Sequence, residues 1–436
     1  MRIALSIWLS LCWLFVVQAQ VPAPRKPTND RVLIRYAKVH VGNGEVIENA
    51  YLEIQNGEFS RVGDANTSRI NESDYSMIID AEGKEVFPGF IVMDSRLGLV
   101  EIGAVRATHD YDEVGEFNPN VRALPAFNTE SKIIPTVRTN GVLMAQIAPV
   151  GGRISGASSL VHFDGWDWQD ATVRADEGVY LNWPHRYRQT GWWAAPGEIK
   201  GNKEYGNQVD ELERYFEEAV AYQALDKKDP QNLRFESLAS VLDGSARLYI
   251  RADWAKDILD AVQFIRKFKL KKAAIVGGAE AHLVTTELKE NNIPVVIDRV
   301  HKLPVHPDSP LDEPFTLAKK LSDAGVMICF ATNGDMEAMI SRNLPFQVGT
   351  AVHYGLDYEK AIESLTLVPA RLAGVEERYG SIEPGKVATF FLCGGDPLDM
   401  KSNVITQAFI EGKMIDLTNH QVDLYHKFSE KHGIEP

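Results

Sequence analysis

The chain has 436 residues, a formal net charge of -14 and a hydrophobic fraction of 44%, enough to build a large core beside a smaller domain. The acidic balance excludes a surface made for nucleic acid and favours solubility. Three cysteines, with Cys12 in the leading segment, exclude a disulfide framework. Cys329 and Cys393 lie inside the apolar runs 326–330 and 390–393 and read as buried reduced thiols.

Residues 1–19 read as a signal peptide: Arg2 precedes an apolar run over 3–17, and Val17-Gln18-Ala19 supplies the cleavage positions. The run is shorter than the ~20 residues a membrane span needs. An exported protein, periplasmic or secreted, with no transmembrane anchor after cleavage, is therefore expected. Residues 20–30 form a Pro-rich linker. From 31 to 86, short apolar segments alternate with turns at Gly42-Asn43-Gly44, Asn56-Gly57 and Glu82-Gly83-Lys84, the pattern of small antiparallel strands.

At 87 the rhythm changes. Pro88 and Gly89 break the chain, and Phe90–Met93 is an apolar run too short for a helix, so it reads as a buried strand. It stops at Asp94, Ser95 and Arg96, which places polar groups at its carboxyl end. Further strands are expected at 141–145, 159–162, 247–250, 273–276, 294–297 and 325–330. Helices are expected from Trp254 (with Ile258, Val262 and Ile265 on its apolar side), over 279–291, over 314–324 and over 359–372. This alternation implies parallel βαβ units and an α/β (β/α)8 TIM-like barrel over 87–373. No glycine-rich nucleotide fingerprint follows any strand, which argues against an open doubly wound sheet. His162 ends a predicted strand and is expected at the barrel mouth. Trp183, Trp192 and Trp193 fall in the aromatic segment 181–206, expected as a lid over that mouth. It would serve as a ligand platform or as a self-packed seal. Short β segments return over 374–420, and 421–436 is a tail.

Two stretches carry a family resemblance. Val86-Phe87-Pro88-Gly89-Phe90-Ile91-Val92-Met93-Asp94-Ser95-Arg96 resembles the first barrel strand of the amidohydrolase superfamily, where a Pro-Gly-Leu-Ile-Asp run leads into a His-x-His metal pair. Gly380-Ser381-Ile382-Glu383-Pro384-Gly385-Lys386-Val387-Ala388-Thr389 resembles its closing motif, with Thr389 in place of the aspartate. The resemblance spans about 31–417 and is nearest the imidazolonepropionase-like branch. It implies that the terminal β pieces join in one composite β-sandwich beside the barrel. It also implies one or two divalent metals held at the ends of strands 1, 5, 6 and 8, where the metal acidifies a bound water.

At the corresponding positions this sequence has Asp94, Arg96, Arg251, Gly277 and Asn333. Arginine offers a metal no lone pair, and glycine no side chain at all. The expectation is a lost metal site with no cofactor, and a binding or accessory subunit. Such a subunit would work as a homo-oligomer or beside a catalytic relative, with a small-molecule or peptide ligand. The alternative is a hydrolase of non-peptide carbon–nitrogen bonds holding one zinc or other divalent ion, with His162 or Asp335 supplying chemistry. An arginine left in the pocket needs a counter-charge, so Arg251 or Arg96 is expected to pair with Asp94 or Asp253, with Asn333 taking leftover donors.

Overall fold

The computed structural model describes residues 23–24 and 31–434 except Trp193, Pro307 and Asp335. The expected signal peptide and all of the linker but Ala23 and Pro24 lie outside the described residues.

The first strands are β1 (Val32–His40), β2 (Val46–Gln55), β3 (Glu58–Asp64), β4 (Met77–Asp80) and β5 (Glu85–Pro88). After Gly89 the barrel begins with β6 (Phe90–Ser95), β7 (Val142–Ile147), β8 (Ile154–His162) and β9 (Thr172–Asn182). A separate hairpin, β10 (Tyr187–Trp192) and β11 (Ala195–Gly201), leaves the end of β9. The barrel resumes with β12 (Arg247–Ala252), β13 (Ala273–Gly277), β14 (Val295–Ile297) and β15 (Ile328–Phe330). These strands form one eight-stranded sheet in the order β15-β14-β13-β12-β9-β8-β7-β6, and a parallel bridge between Met93 and Ala331 closes it. The result is a TIM-like barrel with a separate β-rich domain.

One strand departs from the parallel expectation. β8 runs antiparallel to both β7 and β9, because only residues 148–153 join it to β7, too few for a crossover back to the starting edge. β9 itself was not among the expected strands: it lies in the stretch 163–182, whose polar start masks the apolar run Val179-Tyr180-Leu181.

Helices pack outside the barrel. Ala255–Lys267 buries Ile258, Ala261, Val262 and Ile265 on one face, the spacing of an amphipathic helix. The helix expected over 359–372 is two, Tyr358–Leu365 and Leu367–Ala373. Pro369 supplies no N–H to the Leu365 carbonyl four residues back, and the break falls at Thr366 between them.

The chain ends with β16 (Phe390–Cys393), β17 (Ile405–Ile410), β18 (Lys413–Met414) and a helix, His420–His432, where the sequence pattern suggested only a tail. β16–β18 join β1–β5 in a second eight-stranded sheet, with β16 beside β5 and β5 beside β1. The composite is thus one continuous sheet, and β5 separates the N-terminal strands from β16. Phe390 stacks on Phe409 at 4.7 Å in its core. His40, buried, fastens this sheet to the barrel: its Nδ1 lies 2.7 Å from Glu359 Oε1 and its Nε2 2.8 Å from Glu85 Oε2.

Candidate functional site at the barrel mouth

The carboxyl ends of the parallel strands converge on one side, the side that carries active sites in this architecture. β6 delivers Asp94 and Arg96, β12 delivers Arg251 with Asp253 just beyond, and β13 ends at Gly277. Asp298 follows β14, and Asn333 follows β15. Asp94 sits at φ +48°, a left-handed conformation that Asp tolerates better than most residues. This turns its side chain into the mouth.

Arg251 grips Asp94 with two bonds. Nε donates to Oδ2 at 3.1 Å and Nη2 to Oδ1 at 2.5 Å, the bidentate geometry of a guanidinium on a carboxylate. Its remaining donors reach the Pro149 carbonyl (3.0 Å), Asn182 Oδ1 (3.2 Å) and Ser155 Oγ (3.4 Å). The guanidinium also lies 4.3 Å from the Tyr180 ring centroid. Asp94 is fully buried and the Arg251 side chain 13% exposed. Burial works against the arginine's charge, but the Asp94 carboxylate and its hydrogen bonds carry the guanidinium above its ordinary pKa.

Arg96 is tied down separately. Its Nη2 donates to Asn333 Oδ1 at 2.5 Å, and its Nη1 lies 3.7 Å from Glu337 Oε2. Glu337, buried, also accepts from the Arg96 backbone N–H at 2.7 Å and from Ser95 Oγ at 2.8 Å. Thr332 and Ser341 hydroxyls complete its shell. Nothing in the apolar patterning signalled Glu337, because its partners come together only when the barrel closes.

Beneath the Arg251–Asp94 pair, the barrel interior holds a buried polar chain. Glu177 Oε1 accepts from Gln146 Nε2 at 2.6 Å and from Ser158 Oγ at 2.5 Å, and Oε2 accepts from Tyr249 at 3.0 Å. Tyr180 donates to Gln146 Oε1 at 2.5 Å. Burial raises the Glu177 pKa, and these donors oppose the rise.

Asp298 differs from all of these, since its buried Oδ1 has no hydrogen-bond partner. Burial first, then the charges of Asp253 and Asp94, push its pKa up to about 6, against Lys302 and Arg96. A carboxyl raised in the folded state stabilises the fold below its unfolded value near ~3.9, and that contribution is lost as pH rises through about 6. Ionised Asp298 then costs up to ~3 kcal/mol at neutral pH. Asp298→Asn is therefore expected to stabilise the protein at about pH 7.5 and to leave it nearly unchanged at about pH 4, measured by urea unfolding. Equal stabilities of the two proteins at both pH values would contradict the assignment.

The other expected site residues are dispersed. His162 lies at the opposite end of the barrel, because antiparallel β8 carries its C-terminus away from the mouth. There its Nε2 sits 3.0 Å from the Asp170 carbonyl and 4.0 Å from Glu411 in the second sheet, and burial lowers its pKa. Trp183 is not a lid residue: it is 1% exposed, edge-on to Phe264 at 5.5 Å, with its indole N–H on Tyr205. Trp192 stands exposed on β10, and Trp193 and Asp335 lie outside the described residues. Gly277 has φ +93°, and a Cβ there would meet Asp253 Oδ1 at 2.6 Å. Any side chain at this position would displace Asp253.

The donors at the mouth do not fit a divalent ion. Both oxygens of Asp94 are taken by Arg251, Arg96 brings a second positive charge, and Gly277 has no donor. Among the described residues, no group of three or more His, Cys, Asp or Glu side chains is placed to hold a metal.

Residues 252–415 match the Amidohydrolase family. A solved amidohydrolase from Thermotoga maritima is 25% identical, covers 88% of this chain and 99% of its own, and superposes with a TM-score of 0.73. The chain belongs to the amidohydrolase superfamily. Among curated members, amidohydrolase tasK of Hapsidospora irregularis is 22% identical over 368 residues, covering 77% of this chain and 37% of that protein. Imidazolonepropionase of Flavobacterium psychrophilum is 33% identical over 111 residues, covering 23% of this chain and 26% of the relative. This amidohydrolase-family chain therefore spans well under half the length of the curated relatives it matches.

Proposed function

We propose that this protein is a non-hydrolytic member of the amidohydrolase superfamily. In this reading an arginine–aspartate pair fills the position of the catalytic metal, and the barrel acts as an exported binding or accessory subunit. One observation carries the reading: the bidentate Arg251–Asp94 pair at the strand ends, its carboxylate fully buried. A guanidinium is a permanent cation without a lone pair, so it supplies the positive charge of a metal without the means to activate water. The geometry of Gly277 supports the same reading, since a ligand side chain there would collide with Asp253.

The test is hydrolysis. The imidazolonepropionase relatives supply one substrate, an imidazolone, and the carbon–nitrogen hydrolase alternative a second, a simple N-acyl amino acid; each is assayed with zinc, manganese or cobalt added. No turnover above the metal-only blank is the expected result. Metal-dependent turnover abolished by Asp94→Asn would replace this reading with a hydrolase of carbon–nitrogen bonds.

A further inference from the structure

A second concavity lies on the same side of the barrel, between the β10–β11 hairpin and the loops that follow β12, β13 and β14. Its volume is about 410 Å³, and neither Arg251 nor Asp94 lines it. That is the size of a small-molecule site. Its walls are apolar and aromatic: Tyr187 and Ile199 from the hairpin face Trp254, with Leu283 opposite. The Tyr187 and Trp254 rings pack at 5.2 Å, and His306 meets Trp254 edge-on at 4.8 Å. Leu283 is 64% exposed and presents an apolar side chain to this cavity.

The charges at the rim are unequal. Glu280 is fully engaged: Oε1 lies 2.5 Å from His306 Nε2, and Oε2 accepts the Ala255 backbone N–H at 2.7 Å. Lys256, which also lines the cavity, has no acidic partner among the described residues. The cavity therefore offers an apolar slot with a free ammonium at its edge and no free acceptor carboxylate. In a chain of net charge -14, an ammonium without an acidic partner at the edge of an apolar cavity is selective for an anionic group.

We infer that this cavity binds a small organic acid with a flat apolar or aromatic body, its carboxylate at Lys256 and its ring against Trp254 and Leu283. A cationic ligand would be repelled by Lys256 and would find Glu280 already occupied. The site is independent of the Arg251–Asp94 pair, so it stands whether or not the barrel hydrolyses anything.

The experiment is calorimetric titration of the full chain with three probes of one shape: 2-naphthoate, 2-naphthylmethanol and 2-naphthylmethylamine. The expected result is one saturable site per chain for 2-naphthoate, bound about fivefold or more tightly than the neutral alcohol, with the amine weakest. Lys256→Gln, an exposed substitution that leaves the fold alone, should abolish the preference for acid over alcohol. Leu283→Asp should remove binding of both. No saturable binding of naphthoate, or binding that neither variant alters, overturns the inference, as does a preference for the amine.

Discussion

Arg251→Ala is expected to destabilise the protein by about 3–5 kcal/mol, because it strands a fully buried carboxylate without its counter-charge. Asp94 is fully buried, and Arg96, which reaches only its backbone carbonyl at 3.5 Å, is held by Asn333 and Glu337. The loss should show as a lower urea midpoint with an unchanged slope. Replacing both partners, with Asp94→Asn and Arg251→Met together, should cost clearly less than the sum of the single changes. Removing an ion pair whole leaves neither charge uncompensated. A cost below ~1 kcal/mol for Arg251→Ala would place this pair with solvent-exposed ion pairs. It would also remove the argument that the pair plugs the mouth.

The second large effect is expected at Glu337. Its carboxylate accepts from Ser95 Oγ, the Arg96 backbone N–H and the hydroxyls of Thr332 and Ser341, so it staples the end of β6 to the loop after β15. Among the described residues the same seam also carries the Met93–Ala331 bridge and the Arg96–Asn333 hydrogen bond. Glu337→Ala leaves several buried donors unanswered at roughly 1–3 kcal/mol each. A total near ~4 kcal/mol is expected, with early amide exchange in β6 and β15. Glu337→Gln, which keeps one acceptor oxygen, should lose about half as much. Unchanged exchange in β6 with alanine in place would show that the seam does not depend on this group.

The barrel and the composite sheet were legible because their signals are local: Pro88-Gly89 before an apolar run, the closing motif at 380–389, and apolar runs spaced by amphipathic helices. The mouth was legible in part. Asp94, Arg96, Arg251 and Asn333 each follow an apolar strand, and strand ends in such a barrel meet. Asp298 carries the same signal, directly after Val295–Ile297, and was readable in principle. Glu337 and Glu177 were not, since their partners come from segments brought together only by closure. His162 was misplaced because the short link at 148–153 reverses β8 and carries its C-terminus away from the mouth. Trp183 does follow a strand end on the mouth side, since β9 runs parallel to β12, but its side chain turns inward against Phe264. Neither an apolar run nor an aromatic cluster states the direction in which a strand runs.

The most direct test of the central claim is the metal content of the full chain, purified without chelator and measured by elemental analysis beside the Arg251→Ala variant. The account predicts zinc, manganese and iron far below one per chain in both, because Gly277 supplies no ligand and Asn333 Oδ1 is already taken by Arg96 and the Gly334 N–H, even when Asp94 is released. One tightly held ion per wild-type chain, lost in Asp94→Asn, would contradict it.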